Sequence, residues 1–342
     1  MAHVVQFSAP HVAEVVDFDP PPLPPGHVRV RTAYSGISAG TELTAYRGTN
    51  PYLTRTWDPD ARLFRDSAAG VSFPVVGWGY SESGEVTEVA DDVTGLAVGD
   101  QVWGIWGHRS EAVVPAEKLV GHQLPPGVDL AAAAFARVGA IAFNAILAAR
   151  ITLGDLVAIF GQGVIGLLAT RLATLSGAQV VTVDAVPSRR EQSLWFGAVE
   201  SLAPGAVAER IRELHAPGAD TAIELSGAYA ALQEGIRSVG VGGRVIASGF
   251  YQGAGDALRL GEEFHHNRVE LVSSQIGGVP PELAGRWTVD RLQKTFLGLV
   301  GSGQVDVGPL ISHRVPVENA ADAYTLLDTR PGDALQVLLE FR

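Results

Sequence analysis

The 342-residue sequence predicts an α/β protein in which a doubly wound parallel sheet is inserted into a β-rich domain. Three observations support this fold class. The first part of the chain alternates apolar and polar residues, the middle alternates short apolar strands with helices, and the last part is mixed. We therefore expect one domain formed by residues 1–138 and 280–342 and a second formed by residues 139–279.

The predicted elements follow from local patterns. Residues 27–32 and 84–89 alternate with the period of half-buried strands, and a Pro-rich run at 20–26 predicts a surface turn. The middle and last parts contain predicted helices at 131–149, 165–176, 229–239, 290–300 and 318–327, and predicted strands at 156–160, 179–184, 221–225, 243–248, 269–273, 309–315 and 335–341. Strands alternating with helices at this spacing are typical of a parallel sheet.

Composition excludes several classes of protein. The chain has no cysteine, so disulfides, iron–sulfur clusters, a cysteine nucleophile and thiolate-bound zinc are excluded. Its net charge of −12 would repel a polyanion, so no nucleic-acid partner is expected. No apolar run reaches the about 20 residues of a membrane span, and the first residues do not resemble a signal peptide. We expect a cytoplasmic enzyme with no membrane partner.

The strongest motif is a glycine loop with Gly161, Gly163 and Gly166. It follows an apolar strand, opens a helix, and precedes a second strand that ends at Asp184, which is the full context of a dinucleotide-binding loop. Gly161 would permit the turn, Gly163 would admit the pyrophosphate, and Gly166 would let the helix approach the sheet. The first helical residues, Val164 and Ile165, would present backbone N–H groups to the phosphates.

Asp184 favours NAD over NADP, because its carboxylate would bind the ribose hydroxyls and repel a 2′-phosphate. Arg189 and Arg190 leave NADP open as an alternative, since either could contact a phosphate. Residues that follow later strands are candidates for the nicotinamide side of the site, with ordinary turn residues as the alternative reading: Ser226, Gly227, Phe250, Tyr251 and Ser274.

Several motifs together resemble the medium-chain dehydrogenase/reductase superfamily, and the early motif is especially similar to bacteriochlorophyllide dehydrogenases. These motifs lie at residues 36–42, 79–84, 99–102, 161–166 and 309–313. The resemblance covers nearly the whole chain. It implies a Rossmann domain inserted into a GroES-like catalytic domain, a nicotinamide cofactor, a small-molecule substrate and a homodimer.

The sequence departs from this family where the catalytic zinc is bound. The positions of the three zinc ligands are occupied by Ser38, Tyr80 and Ala136. Hydroxyl and methyl groups are poor zinc ligands, so we expect no zinc. A replacement metal site built from His108, Glu42 or Glu82 is the alternative.

Without zinc, a hydrogen-bond donor has to stabilise the reacting oxygen and deliver its proton. The resemblance places Tyr80, Thr41 and Ser38 near the vacated metal position as candidate donors or relays. Glu42 would orient this segment, act as a base, or form a structural ion pair with an arginine. His108 is a candidate acid or base, with a structural hydrogen-bonding role as the alternative. For Tyr80 the alternative is simple space filling.

The leading functional hypothesis is a zinc-independent NAD(P)-dependent oxidoreductase that acts on a secondary alcohol or ketone of a polyol, sugar or specialised metabolite. One alternative is an enoyl or quinone reductase acting on an activated C=C bond. Another is an NAD(H)-binding sensor or structural protein without turnover. Residues 47–65 form an inserted segment that we interpret as a lid over the substrate, with an irregular surface loop or dimer contact as the alternative.

Overall fold

The computed structural model describes residues 2–66 and 70–341, which form two compact units. The first unit comprises Met1–Arg137 and Val300–Arg342, and the second comprises Val138–Leu299. The second unit therefore continues beyond the expected boundary at residue 279, because the helix at 289–301 packs with it up to Leu299.

The elements are numbered in chain order. The part of the first unit that comes before the junction contains β1 (Ala2–Ala9), β2 (Val12–Phe18), β3 (His27–Gly36), α1 (Glu42–Tyr46), β4 (Arg55–Asp58), β5 (Leu63–Asp66), β6 (Val75–Val76), β7 (Glu82–Val89), β8 (Gln101–Gly104), β9 (Glu111–Pro115) and α2 (Leu130–Ala133). The junction and the second unit contain α3 (Ala136–Ala149), β10 (Leu156–Phe160), α4 (Val164–Leu175), β11 (Gln179–Val183), α5 (Pro187–Trp195), β12 (Glu200–Leu202), α6 (Val207–Leu214), β13 (Ala219–Glu224), α7 (Tyr229–Ser238), β14 (Val239–Ala247), β15 (Glu270–Ser273) and α8 (Val289–Gly301). The chain then returns to the first unit with β16 (Ile311–Pro316), α9 (Ala320–Thr329) and β17 (Gln336–Glu340).

The second unit has the predicted doubly wound sheet. Its six strands are all parallel, in the order β12-β11-β10-β13-β14-β15. The central strand β10 has the sequence LVAIF and every residue in it is buried, as expected for a parallel strand covered on both faces. The predicted fold class is confirmed. The predicted helix at 131–149 is instead two helices, α2 and α3, separated at residues 134–135.

The first unit is built mainly from antiparallel strands. Its largest sheet has the order β16-β17-β3-β7-β8, and β9 also pairs with β3. Strands β2, β1 and β6 form a second sheet, and β4 and β5 pair only with each other among the described residues. The late strand β17 pairs with the early strand β3, so both ends of the chain contribute to one sheet.

No helix within the described ranges is long and apolar enough to span a lipid bilayer.

Candidate active site

Three hydroxyl groups meet in the first unit, and we refer to Ser38, Thr41 and Tyr80 as the hydroxyl cluster. The Tyr80 hydroxyl forms a short hydrogen bond with Ser38 Oγ and lies 3.5 Å from Thr41 Oγ1. Ser38 follows the end of β3, and Tyr80 precedes β7. Because β3 and β7 pair antiparallel, with Ser35 opposite Glu82, the two segments emerge side by side.

Burial keeps the tyrosine of the hydroxyl cluster protonated. It raises the pKa of the Tyr80 phenol above its usual value, and this effect exceeds the lowering by the hydrogen bonds that the phenol forms with Ser38 and Thr41. The Glu42 carboxylate raises the pKa further, whereas the Arg137 guanidinium lowers it. At neutral pH the phenol is therefore a hydrogen-bond and proton donor.

Next to the hydroxyl cluster, His108 and Glu42 form a buried acid–base pair. His108 Nε2 is 2.7 Å from Glu42 Oε2, and each side chain is only 1% exposed. Glu42 Oε1 accepts the backbone N–H of Ser38 at 2.9 Å, and Glu42 Oε2 also accepts the Tyr324 hydroxyl at 2.8 Å. Glu42 thus fixes the backbone that carries Ser38. The expected arginine partner of Glu42 is replaced by His108.

A second carboxylate completes this buried network. His108 Nδ1 is 2.5 Å from Ser35 Oγ, which in turn donates to Glu82 Oε1 at 3.0 Å. Burial disfavours a charged His108, but the nearby Glu42 and Glu82 carboxylates outweigh burial and raise the pKa of its ring. Burial raises the pKa of Glu82, although the His108 charge acts in the opposite direction.

The structure brings all five candidate catalytic residues into one hydrogen-bonded network. Two further members, Ser35 and Tyr324, were not predicted as site residues, and Glu82 was predicted only as a candidate for a replacement metal site. Ser35 and Glu82 lie on paired strands, so a correct register for β3 and β7 would indicate their contact. Tyr324 lies 282 residues from Glu42, and no local pattern signals that contact.

The donor set of this network does not fit a catalytic zinc ion. Ser38 and Tyr80 offer hydroxyl groups that bond to each other, and Ala136 offers no ligand atom. The alternative site fails for a different reason, because both Glu42 oxygens and both His108 ring nitrogens already hold hydrogen bonds. Within residues 2–66 and 70–341, no three His, Asp or Glu side chains are grouped to hold a metal ion.

The second unit contains the glycine loop between β10 and α4, and its geometry fits a dinucleotide phosphate. Gly161 has φ +87°, and a Cβ at Gly166 would lie 1.8 Å from the Gly161 carbonyl oxygen. A Cβ at Gly163 would instead point into open space. Gly163 is the N-cap of α4, and no side chain caps this helix. The N–H groups of the first turn, which includes Val164 and Ile165, are therefore available to an anion.

Asp184 lies immediately after β11, beside the glycine loop. Its Oδ2 accepts the backbone N–H of Gln162 at 2.6 Å, and its Oδ1 accepts that of Val186 at 2.8 Å. Each oxygen keeps a second lone pair for a hydroxyl donor. Arg190 donates to the carbonyl oxygens of Asp184 and Ala185, so it stabilises the turn. Arg189, on α5, remains the candidate for contact with the cofactor.

The candidates for the nicotinamide side converge at the carboxyl ends of β13, β14 and β15. A Cβ at Gly227 would lie 3.0 Å from the Phe250 carbonyl oxygen, and a Cβ at Gly161 would lie 2.8 Å from the Ser226 nitrogen. The Ser274 backbone N–H donates to Ala247 at the end of β14. The Ser274 hydroxyl is buried, at 6% residue exposure, and has no hydrogen-bond partner among the described residues.

A buried carboxyl group that the sequence analysis did not assign organises this edge of the sheet. Glu224 ends β13 and accepts N–H groups from Ser226 at 2.7 Å and Gly227 at 3.1 Å. It also accepts the Tyr251 hydroxyl at 2.5 Å. Burial raises the pKa of Glu224, although these hydrogen bonds oppose the shift. An acidic residue at the carboxyl end of a mostly buried parallel strand is the signal that would have indicated it.

Comparisons with known proteins agree with this organisation. Residues 164–289 match the family described as Zinc-binding dehydrogenase. The chain is 28% identical over 345 residues to D-guloside 3-dehydrogenase of Escherichia coli, covering 98% of each chain. It is 28% identical over 331 residues to 2-desacetyl-2-hydroxyethyl bacteriochlorophyllide A dehydrogenase of Rhodobacter capsulatus, covering 93% of this chain and 91% of that one.

The fold also matches a solved structure along its length. The crystal structure of 2R,3R-butanediol dehydrogenase from Bacillus subtilis has a TM-score of 0.81, at 20% identity and 99% coverage of both chains. The named relatives are dehydrogenases and the glycine loop is of the dinucleotide type, which together support an oxidoreductase. The chain is similar to medium-chain, zinc-binding dehydrogenases over nearly its whole length.

Proposed function

We propose that this protein is a zinc-independent, NAD-linked dehydrogenase that interconverts a secondary alcohol and a ketone on a polyol or sugar. The observation that carries the proposal is the hydroxyl cluster. Two of its members, Ser38 and Tyr80, stand at positions that the family resemblance assigns to zinc ligands, whereas the glycine loop is intact.

The nicotinamide, when bound, supplies or accepts the hydride. Gly161, Gly163 and Gly166 would hold the pyrophosphate, and Asp184 would bind the adenosine ribose. Tyr80 would donate its proton to the alkoxide oxygen during ketone reduction, and the phenolate would take that proton back during alcohol oxidation. Ser38 and Thr41 would hold the phenol in position and relay the proton.

The sugar class rests on the relatives. The chain aligns over 98% of its length with a D-guloside 3-dehydrogenase, and its relatives also include a sorbitol dehydrogenase of Halalkalibacterium halodurans, at 25% identity. These similarities support a hydroxyl-rich substrate and leave its identity to experiment.

A substrate panel with metal control tests the proposal. Protein dialysed against a chelator should reduce NAD⁺ with polyols or glycosides at the same rate as protein given Zn²⁺, and NADP⁺ should be a poorer cofactor. Loss of turnover after chelation, restored by Zn²⁺, would contradict zinc independence. Reduction of enones but not ketones would favour the C=C reductase, and NADH binding without any turnover would favour a sensor.

A further inference from the structure

Arg137 is a half-buried cation that has no acidic partner in the part of the chain that the structure describes. It lies in the first turn of α3, directly after the buried Ala136. No carboxylate among the described residues forms an ion pair with its guanidinium, whereas the exposed Arg55, Arg65 and Arg210 each have one. An unpaired, partly desolvated cation is costly and is retained most readily where an anion forms.

The group that Arg137 interacts with electrostatically is the Tyr80 phenol. Burial lowers the pKa of the Arg137 guanidinium, and the Tyr80 oxygen opposes this shift. The segment before Arg137 packs on the two strands next to the hydroxyl cluster, because α2 contacts β3 and β7 and the Ser83 hydroxyl donates to the Leu130 carbonyl at 2.5 Å. The Arg137 guanidinium is therefore a positive charge that acts on the Tyr80 phenol of the hydroxyl cluster.

The position of Arg137 in its helix strengthens this positive potential. The first turn of α3 contains no acidic residue, so nothing there offsets the positive end of the helix dipole. Among the charged groups that act on the Tyr80 phenol, Glu42 raises its pKa and Arg137 lowers it. Arg137 is therefore the group that favours negative charge at this oxygen.

We propose that the Arg137 guanidinium stabilises the negative charge that develops on oxygen at the hydroxyl cluster, in the place of a metal ion. This inference rests on the proposed function. In ketone reduction, hydride addition to the carbonyl carbon leaves an alkoxide, and the Tyr80 O–H bond breaks as its proton moves to that alkoxide. The remaining phenolate lies beside the Arg137 cation until a proton returns to it from water through Thr41 or Ser38.

The test measures Tyr80 directly and needs no substrate. Protein labelled with 3-fluorotyrosine gives ¹⁹F signals for its 7 tyrosines, and the signal lost in Tyr80→Phe identifies Tyr80. We expect the titration midpoint of this signal to move to higher pH in Arg137→Gln and to stay near the original value in Arg137→Lys. Arg314→Gln is the matched control, because Arg314 donates to the hydroxyl of another tyrosine, Tyr34.

An unchanged Tyr80 midpoint in folded Arg137→Gln would overturn the proposal, and circular dichroism establishes that the variant is folded. If Arg137→Gln does not fold, the Tyr80 midpoint is measured in Arg137→Lys instead. Because lysine retains the positive charge, a midpoint that moves away from the original value in this variant would overturn the proposal. With an active substrate, kcat should fall roughly 10- to 100-fold in Arg137→Gln with little change in KM. A rise in KM confined to carboxylated substrates, with kcat unchanged, would instead assign Arg137 to substrate recognition.

The two proposals fail separately. A shifted Tyr80 midpoint in a protein that turns over no alcohol or ketone would show that Arg137 favours negative charge at Tyr80, and it would contradict the proposed function. Turnover of an alcohol or ketone with an unshifted Tyr80 midpoint would support the proposed function and overturn the Arg137 inference.

Discussion

Tyr80 is the residue on which the proposed chemistry depends most. Its hydroxyl is the meeting point of Ser38 and Thr41, and its raised pKa keeps it protonated at neutral pH. Phenylalanine retains the ring and removes only the proton donor. We expect Tyr80→Phe to lower kcat by about 100-fold or more, as removal of a general acid does.

The matched control for this prediction is Tyr34→Phe, which removes a tyrosine hydroxyl from β3 outside the hydroxyl cluster. Steady-state rates with the best substrate of the panel measure both variants. Equal kcat values for Tyr80→Phe and the unaltered protein would leave Tyr80 as a space-filling residue.

His108 should make stability depend on pH. Its pKa in the folded protein is raised above the ordinary value of 6.5, so the folded state binds the proton more tightly than the unfolded state. The resulting stabilisation is fully present below pH 6.5 and is lost as pH rises through the raised pKa. Urea unfolding at a series of pH values should show this decline, and His108→Gln should abolish it.

His108→Gln should also lower stability, by about 3 to 5 kcal/mol below pH 6.5 and by less above the raised pKa, because it leaves buried carboxyl groups without their partner. His215→Gln is the control, since that ring bonds to the Gly218 carbonyl in the second unit. A pH dependence that survives in His108→Gln would assign the effect to other groups.

The sequence could predict those site residues whose role depends only on their neighbours along the chain. The glycine loop and Asp184 lie within one strand–helix–strand unit, so spacing alone identifies them. The partner of Glu42 could not be predicted, because His108 is 66 residues away and Tyr324 is 282 away. Arg137 could not be singled out either. What distinguishes it is that no carboxylate among the described residues pairs with its guanidinium, and only the folded structure reveals this.

At the scale of elements, the turn from β10 into α4 contains glycines with two different roles. Gly163 leaves space for a ligand, and Gly166 allows close packing of the helix on the loop. A Cβ at Gly163 would meet no atom within 4 Å, whereas one at Gly166 would collide with the Gly161 carbonyl oxygen. We expect Gly163→Ala to keep its melting temperature and to bind NADH more weakly. Gly166→Ala should lower the melting temperature, because α4 has to move away from the loop.

Thermal unfolding and NADH fluorescence measure these two effects independently. Full NADH affinity in Gly163→Ala would show that the phosphates do not approach the backbone at this position.

The inserted segment contains a small hairpin, β4–β5, whose aromatic residues are partly exposed. Trp57 is paired with Phe64 across the hairpin, and the two rings lie 5.1 Å apart. Each residue is 36% exposed, so little of the fold depends on them. If this hairpin covers the substrate, Trp57→Ser/Phe64→Ser should raise KM and leave the free energy of unfolding nearly unchanged. Unchanged KM and kcat would rule out the lid.

At the scale of the whole molecule, the sheet of the second unit ends at β15, which pairs only with β14 among the described residues. An unpaired strand edge is a template for another chain. We propose that two copies pair at β15 to form the expected homodimer. Light scattering should give a dimer mass for the unaltered protein and a monomer mass for Leu271→Lys.

Leu153→Lys is the control for this prediction, because Leu153 is also exposed and lies outside β15. A monomeric unaltered protein, or a dimer that tolerates Leu271→Lys, would contradict pairing at this edge.

The return of the chain to its first unit has a consequence for synthesis on the ribosome. The Gln336 side chain donates to the Ile37 carbonyl across 299 residues, so β3 lacks its β17 neighbour until β17 has been synthesised. At about 5–20 residues per second, that interval lasts roughly 15 to 60 seconds. The contiguous second unit can fold within it. Until β17 is present, β3 of the first unit has an unpaired edge, and Glu42 lacks its hydrogen bond from Tyr324. The proposed catalytic centre is therefore completed after the second unit has been synthesised.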